Sequence, residues 1–95
     1  MMMKIVWSSS FKRALKKLLK KQPQLNATVV EVLQVLATEP FSPPLKTHKL
    51  TGNLNGLWSC SVAYDCRIIF SFSDEEDSDE DVIFLIDIGS HDEVY

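Results

Sequence analysis

Four side chains with the functional groups of acid–base catalysis lie in the second half of this 95-residue chain. Both histidines, His48 and His91, lie in polar segments, and Asp65 and Arg67 bracket the predicted start of a strand. Imidazole titrates near neutral pH and can accept or donate a proton, while a guanidinium can stabilise negative charge. Together these groups could move a proton off a ribose hydroxyl and neutralise charge on a phosphate.

Three of these residues also have an ordinary structural interpretation. His91 could be an exposed residue at the end of the chain, and Asp65 could be a turn residue that hydrogen-bonds its own backbone. Arg67 alternates with apolar neighbours on the predicted strand, so it could pair with Asp87 across the sheet. The sequence leaves these alternatives open, and it does not decide whether His48 or Asp65 would be the base.

A strand and two helices are predicted ahead of these residues. The strand covers residues 2–7, and the serines at positions 8–10 supply N-cap oxygens for the first helix. Apolar residues then recur at helical spacing and leave one strongly basic face; they are Phe11, Leu15, Leu18 and Leu19. A second helix is predicted at residues 24–39, ended by Pro40, which lacks a backbone donor.

A loop and three strands complete the predicted fold. Residues 41–55 are rich in Pro, Gly and Asn, which predicts an irregular connection. Strands rich in β-branched and aromatic residues follow at residues 57–63, 66–73 and 82–88. The order β-α-α-β-β-β predicts one α+β domain over residues 1–95. In it, the N-terminal strand and helical hairpin pack on a twisted antiparallel sheet.

Charge is divided unevenly along the chain. Residues 1–67 carry all ten Lys and Arg and three acids, giving +7, whereas residues 68–95 carry ten acids and no base, giving −10. Seven of those acids lie at residues 74–81, which we expect to form a solvated hairpin loop. The basic half could follow a phosphate backbone or bind an acidic partner. The overall pI of about 5.2 argues against a general nucleic-acid-binding protein.

No cofactor, metal or membrane association is expected. Cys60 and Cys66 lie six residues apart without a C-x-x-C motif or a histidine cluster, so a zinc site is unsupported and we expect free, half-buried thiols. No apolar run reaches the roughly 18 residues of a membrane helix, and the N-terminus lacks the cleavage pattern of a signal peptide. The composition therefore predicts a cytoplasmic globular protein.

Several short motifs, taken in order, resemble those of the RelE/ParE toxin superfamily of bacterial type II toxin–antitoxin systems, and most closely its YafQ-like branch. They are F-K-R-x-L-K-K-L in the first helix, P-L-K-x-H-K-L-T-G-x-L-x-G before the sheet, Trp58-Ser59, D-x-R-I-I-F from Asp65, and the terminal I-G-S-H-D-E-V-Y. The segment L-x-G-x-W-S is also similar to YoeB. The resemblance covers essentially the whole chain and implies a microbial-ribonuclease-like fold. It further implies cleavage of messenger RNA in the ribosomal A site and inhibition by a cognate antitoxin.

The resemblance also implies roles for individual residues. His48 and Asp65 match positions of catalytic groups in YafQ-like toxins, and either could be the general base. Arg67 matches the arginine that RelE- and YoeB-like members place near the scissile phosphate. His91 matches a histidine at the end of the last strand and would be the general acid. Metal-independent cleavage to a 2′,3′-cyclic phosphate is therefore the expected reaction.

Substrate contacts are predicted for four further residues, namely Lys46, Lys49, Ser61 and Tyr95. Ser61 stands where YafQ-like toxins have a second histidine, so the resemblance is incomplete at the site itself. Two alternatives follow: a ParE-like binding toxin that inhibits gyrase without cutting RNA, or a toxin that has lost catalysis. The two remaining histidines favour cleavage, because a protein that only binds needs no group to transfer protons.

Overall fold

The computed structural model describes residues 3–74 and 81–95, which form two layers, a helical hairpin and a sheet. The elements are β1 (Lys4–Trp7), α1 (Ser9–Lys21), α2 (Leu25–Thr38), β2 (His48–Lys49), β3 (Trp58–Ala63), β4 (Cys66–Asp74), β5 (Asp81–Gly89) and α3 (His91–Val94). Short 3₁₀ turns at Pro43–Leu45 and Gly52–Leu54 lie between α2 and β3. The predicted α+β class and the order of its main elements are confirmed.

The first helix begins and packs as its sequence predicts. The Ser8 hydroxyl oxygen accepts a hydrogen bond from the Phe11 backbone N–H at 3.0 Å, which satisfies one of the free donors of the first turn. Phe11 is completely buried against the sheet, whereas the basic residues of α1 are exposed. Lys20 and Lys21 lie in the last turn, where positive charge is favourable to the helix dipole.

The described strands form one five-stranded mixed sheet in the order β1-β5-β4-β3-β2. From β2 to β5 each strand runs antiparallel to the one before it, as predicted for the meander. The N-terminal strand differs from the expected antiparallel sheet, because β1 pairs in parallel with β5. The helical hairpin carries the chain from β1 across to the far edge of the sheet, and the meander then returns beside β1.

Two short elements were not predicted. His48 and Lys49 form β2 inside the segment predicted as a loop, and the last residues of the chain form the single turn of α3. A two-residue strand has no periodicity that a sequence can show, and its pairing depends on where β3 lies. β2 nevertheless places His48 on the edge of the sheet, opposite Ser59.

The hydrophobic core lies between the helices and one face of the sheet. It is formed by Phe11, Leu18, Val29, Leu33, Leu36, Leu45, Cys60, Val62, Cys66, Ile68, Phe70, Ile83, Leu85 and Ile88. Both cysteines are free of disulfides, as expected, but they are buried rather than half-buried. Burial raises the pKa of the Cys60 thiol from an ordinary 9.0 to about 12.

The acidic run lies only partly within the described residues. Asp74 and Asp81 are register partners at the ends of β4 and β5, and residues 75–80, where the solvated loop was predicted, lie outside the described residues. Of the helices within residues 3–74 and 81–95, none combines the length and the apolar character needed to cross a membrane.

Candidate active site

The face of the sheet turned away from α1 and α2, which we call the open face, carries three of the residues predicted to form the site. Cys60 points into the core, so its neighbours Ser59 and Ser61 lie on the opposite side of β3. His48 is the register partner of Ser59, and Arg67 is the register partner of Ser61. Because partners in an antiparallel pair place their side chains on the same face, all four residues lie on the open face.

Arg67 is held at the end of the β3–β4 hairpin by neutral oxygens. Its Nη1 donates to the Ser61 hydroxyl and to the Ala63 carbonyl, both at 3.2 Å, and more weakly to the Cys66 carbonyl at 3.4 Å. The register of the two strands shifts between Ser61 and Ala63, at the place where these acceptors lie. A half-buried guanidinium fixed in this way is suited to stabilising an anion.

The alternative pairing of Arg67 with Asp87 does not match the register of the sheet. Arg67 lies opposite Gly89, whereas Asp87 lies opposite Ile69. The Asp87 carboxylate instead accepts a hydrogen bond from the backbone N–H of Ile88 at 2.9 Å. A cross-strand ion pair therefore does not account for the position of Arg67.

His48 is exposed and its imidazole is oriented by a backbone carbonyl. Its Nδ1 lies 2.9 Å from the carbonyl oxygen of Lys46. A carbonyl oxygen can only accept, so Nδ1 carries the proton in this contact, and Nε2 of the neutral ring holds an unshared electron pair. Lys46 reaches this position with a left-handed backbone, at φ 51°. His48 is thereby arranged as a proton acceptor at the edge of the open face.

The C-terminal turn folds back onto the sheet and is fastened at its start by Asp65. The Asp65 carboxylate accepts a hydrogen bond from the backbone N–H of His91 at 3.2 Å. This N–H belongs to the first turn of α3 and has no partner within the helix. Val94 is buried, so the turn is also held by an apolar contact. Asp65 thus serves as a cap for α3 in this structure.

Tyr95 connects the end of the chain to the start of β3. Its hydroxyl donates to the hydroxyl oxygen of Ser59 at 2.5 Å, and its ring packs edge-to-face against the His91 imidazole with centroids 4.5 Å apart. His91 is otherwise exposed, and its Nδ1 lies 3.8 Å from a carboxylate oxygen of Asp92. The His91 ring thus contacts Tyr95, and Tyr95 is hydrogen-bonded to Ser59 on the open face. His48 is the register partner of the same serine.

Lys49 lies away from the other predicted residues. Its partner in the sheet is Trp58, and its Nζ lies 5.4 Å from the centroid of that ring. Trp58 also packs edge-to-face against Phe41 and Phe72, so it belongs to an aromatic cluster at the edge of the core. Residues alternate between faces along a strand, which separates Lys49 from its neighbour His48.

Ser59 is the residue of this site that sequence reasoning missed. It is completely buried, and its hydroxyl is bonded to Tyr95. A signal for it exists in the sequence, because Ser59 and Ser61 alternate with the apolar residues Trp58, Cys60 and Val62. Such alternation predicts that the two serines share the face of the strand opposite the core.

Comparison with known proteins identifies one family. The family described as the bacterial toxin of type II toxin–antitoxin system, YafQ, matches residues 3–95. No curated protein sequence is similar enough to count as a match.

Solved structures with the same fold include toxins of two bacteria. The metal-bound toxin from Helicobacter pylori is 32% identical, with a TM-score of 0.79 over 99% of this chain and 100% of that one. YafQ from E. coli strain BL21(DE3) is 19% identical, with a TM-score of 0.78 over 98% of both chains. The E. coli DinJ–YafQ toxin–antitoxin complex contains a chain 20% identical, with a TM-score of 0.77 over 100% of this chain and 99% of that one.

The structure of the Helicobacter pylori toxin is described as metal-bound. Within the described residues, no group of three or more His, Cys, Asp and Glu side chains could hold a metal ion. The two histidines instead make the backbone, aromatic and carboxylate contacts given above.

Proposed function

Because the chain belongs to the YafQ family of toxins of bacterial type II toxin–antitoxin systems, we propose that it is a ribosome-dependent endoribonuclease. It would act in the cytoplasm and cleave messenger RNA in the ribosomal A site. The observation that carries the proposal is the open face, where a proton-accepting His48 and a positioned Arg67 lie on the same side of the sheet. The His91 ring packs against Tyr95, whose hydroxyl donates to Ser59 on that face.

The proposed reaction begins at the 2′-hydroxyl of the nucleotide before the cleaved bond. His48 Nε2 takes the hydroxyl proton, and the resulting oxygen attacks the adjacent phosphorus. Arg67 stabilises the negative charge of the five-coordinate phosphate. His91, entering as the imidazolium, donates a proton to the departing 5′-oxygen. The products are a 2′,3′-cyclic phosphate and a free 5′-hydroxyl. Each proton transfer contributes roughly 10²–10⁴ in rate, and the ribosome contributes by holding the message in line for attack.

The contacts favour His48 over Asp65 as the general base. The Lys46 carbonyl fixes the ring of His48 with the lone pair on Nε2, the state that a base requires. The Asp65 carboxylate is instead engaged with the backbone of His91. In the proposal Asp65 therefore supports the acid, and His48 accepts the proton.

Ser61 has a role that does not require the histidine found in related toxins. Its hydroxyl accepts from Arg67 and donates to the Ala63 carbonyl at 3.4 Å. We propose that it orients the guanidinium toward the phosphate and so maintains the site after loss of the second imidazole. Lys46 and Tyr95 lie beside His48 and His91 and are retained as proposed substrate contacts, whereas Lys49 faces the aromatic cluster.

An antitoxin is the proposed protein partner. DinJ is bound to YafQ in the E. coli complex. On this chain an apolar groove of about 370 Å³ runs between the edge strand β1 and α2 and is lined by Ile5, Trp7, Leu15 and Val30, among others. Trp7 and Leu15 also line a neighbouring groove with Lys12, Lys16 and Lys20 of α1. A segment with apolar and acidic side chains complements such a surface.

Expression in bacteria tests the nuclease against the alternative of a gyrase-inhibiting toxin. We expect growth arrest, discrete breaks at A-site codons in primer extension, and loss of both effects in His91→Ala and Arg67→Ala. Arg13→Ala is the matched control, because Arg13 is exposed on α1. Unchanged toxicity in both site variants, or growth arrest with DNA damage and intact messages, would refute the proposed function.

A further inference from the structure

Ser59 places a completely buried hydroxyl on the open face of the sheet. It is the second residue of β3, between His48 on β2 and the buried Ile69 on β4, and none of its surface is exposed. Among the described residues, Ser59 is the only polar residue that is buried. A buried hydroxyl is costly unless it is hydrogen-bonded, so a serine at this position requires a partner.

Tyr95 provides that partner from the other end of the chain. The hydroxyl groups of the two residues lie 2.5 Å apart, and Tyr95 is the donor. The backbone N–H of Tyr95 bonds to the carbonyl of His91 at 3.1 Å, so the tyrosine stacks one turn beyond the histidine. The oxygen of a tyrosine lies on the long axis of its ring, so fixing the backbone and the hydroxyl sets the first side-chain torsion and the direction of that axis, and hence where the ring lies beside His91.

The ring of Tyr95 in turn limits the orientation of His91. The two rings meet at an interplanar angle of 81°, and the imidazole has no other aromatic neighbour among the described residues. We propose that Ser59 is a positioning residue, which fixes Tyr95 through their shared hydrogen bond and thereby orients the His91 imidazole for proton transfer. This inference rests on the proposed function for its catalytic part.

The hydrogen bond between Ser59 and Tyr95 differs in kind from the cap provided by Asp65. Asp65 bonds to the backbone of His91 and holds the start of the turn, whereas Ser59 acts on the side chain that the imidazole packs against. Loss of the Ser59 hydroxyl should therefore leave α3 in place but allow the rings of Tyr95 and His91 to reorient.

Nuclear magnetic resonance of the folded protein tests the orientation directly. The chain has only two histidines, so their imidazole protons are readily assigned, and the Tyr95 ring current shifts those of His91. In Ser59→Ala and in Tyr95→Phe, we expect these resonances to move toward the positions of a free histidine. Ser71→Ala is the matched control, because Ser71 lies on β4 opposite Phe84, two residues from the partner of Ser59, and the Tyr95 hydroxyl bonds to Ser59 rather than to Ser71. Tyr95→Phe removes the same bond without altering β3.

Cleavage measurements on the same variants test the catalytic consequence. Ser59→Ala and Tyr95→Phe should each lower the cleavage rate by roughly ten- to hundredfold, as small misplacements of a reacting group do. The double variant should lose about as much cleavage activity as the more impaired of the two single variants, because both changes remove the same interaction. Unshifted His91 resonances in either folded variant overturn the proposal, and so do shifted resonances with a wild-type cleavage rate. Should the wild-type protein leave messages intact, the proposed function fails, and the resonances alone decide whether Ser59 orients His91.

Discussion

Replacing Asp65 distinguishes a cap for the C-terminal turn from a general base. Asp65 is exposed in the β3–β4 turn, and the structure gives its carboxylate one contact of clear consequence, the 3.2 Å bond from the His91 backbone N–H. Asp65→Ala removes both the acceptor and the charge. Asp65→Asn removes the charge but keeps an oxygen that can accept the same hydrogen bond. A cap tolerates asparagine, whereas a base does not.

The two roles predict losses of different size. Removing a side-chain cap costs about 0.5–2 kcal/mol, which corresponds to a roughly 2- to 30-fold change in the population of the attached turn. Since Tyr95 and Val94 also hold the turn, the loss of cleavage in Asp65→Ala should not exceed that range. Asp65→Asn should remain within about threefold of the wild-type protein, because asparagine caps almost as well as aspartate. Removing a general base would instead lower the rate by roughly 10²–10⁴ in both variants.

Single-turnover cleavage of a ribosome-bound message is the assay. Both variants should stay within the ranges given above, because His48 remains as the proposed base. Glu31→Gln, which removes an exposed carboxylate on α2, controls for the change of net charge. A loss of 10² or more in the cleavage rate of Asp65→Asn would show that Asp65 is the base and that the argument from its backbone contact is wrong.

Three further predictions concern the core, the guanidinium and the groove. Burial raises the pKa of Cys60 from 9.0 to about 12, so the unfolded state loses the thiol proton at lower pH than the folded state. The free energy of unfolding, measured by denaturant titration, should therefore fall by about 1.4 kcal/mol per pH unit between these two values. Cys60→Ala should lack this component, and an equal pH dependence in both proteins would contradict it. Ser61→Ala should lower the cleavage rate by less than about tenfold, because two backbone carbonyls still hold Arg67. Arg67→Ala should lower the rate by roughly 10²–10³. Equal losses in the two variants would argue against an orienting role for Ser61. Val30→Glu should weaken antitoxin binding at least fivefold in calorimetry, because Val30 lines the groove. Val35→Glu is the control, because Val35 is exposed on the same helix but does not line the groove. Equal affinities of the two variants would exclude the groove as the antitoxin-binding surface.

Much of the fold follows from local sequence signals. The serine N-cap and the apolar stripe of α1 predict a helix that the structure places at Ser9–Lys21. The β-branched and aromatic runs predict β3, β4 and β5 to within one residue at either end. The parallel pairing of β1 with β5 is different, since it joins segments separated by the entire helical hairpin. No local pattern encodes the relative direction of two such distant strands.

The sequence by itself determined the class of fold and the inventory of reactive groups, because helix and strand periods and residue types are local properties. It also supported the family that the comparison then identified. Only the tertiary structure decided what each group does. Asp65 meets His91 across 26 residues, and Ser59 meets Tyr95 across 36, so these contacts exist only once the sheet has formed and the C-terminal turn has folded onto it. The assignment of Asp65 as a cap and of Ser59 as a positioning residue therefore rests on long-range geometry, which spacing along the chain does not record.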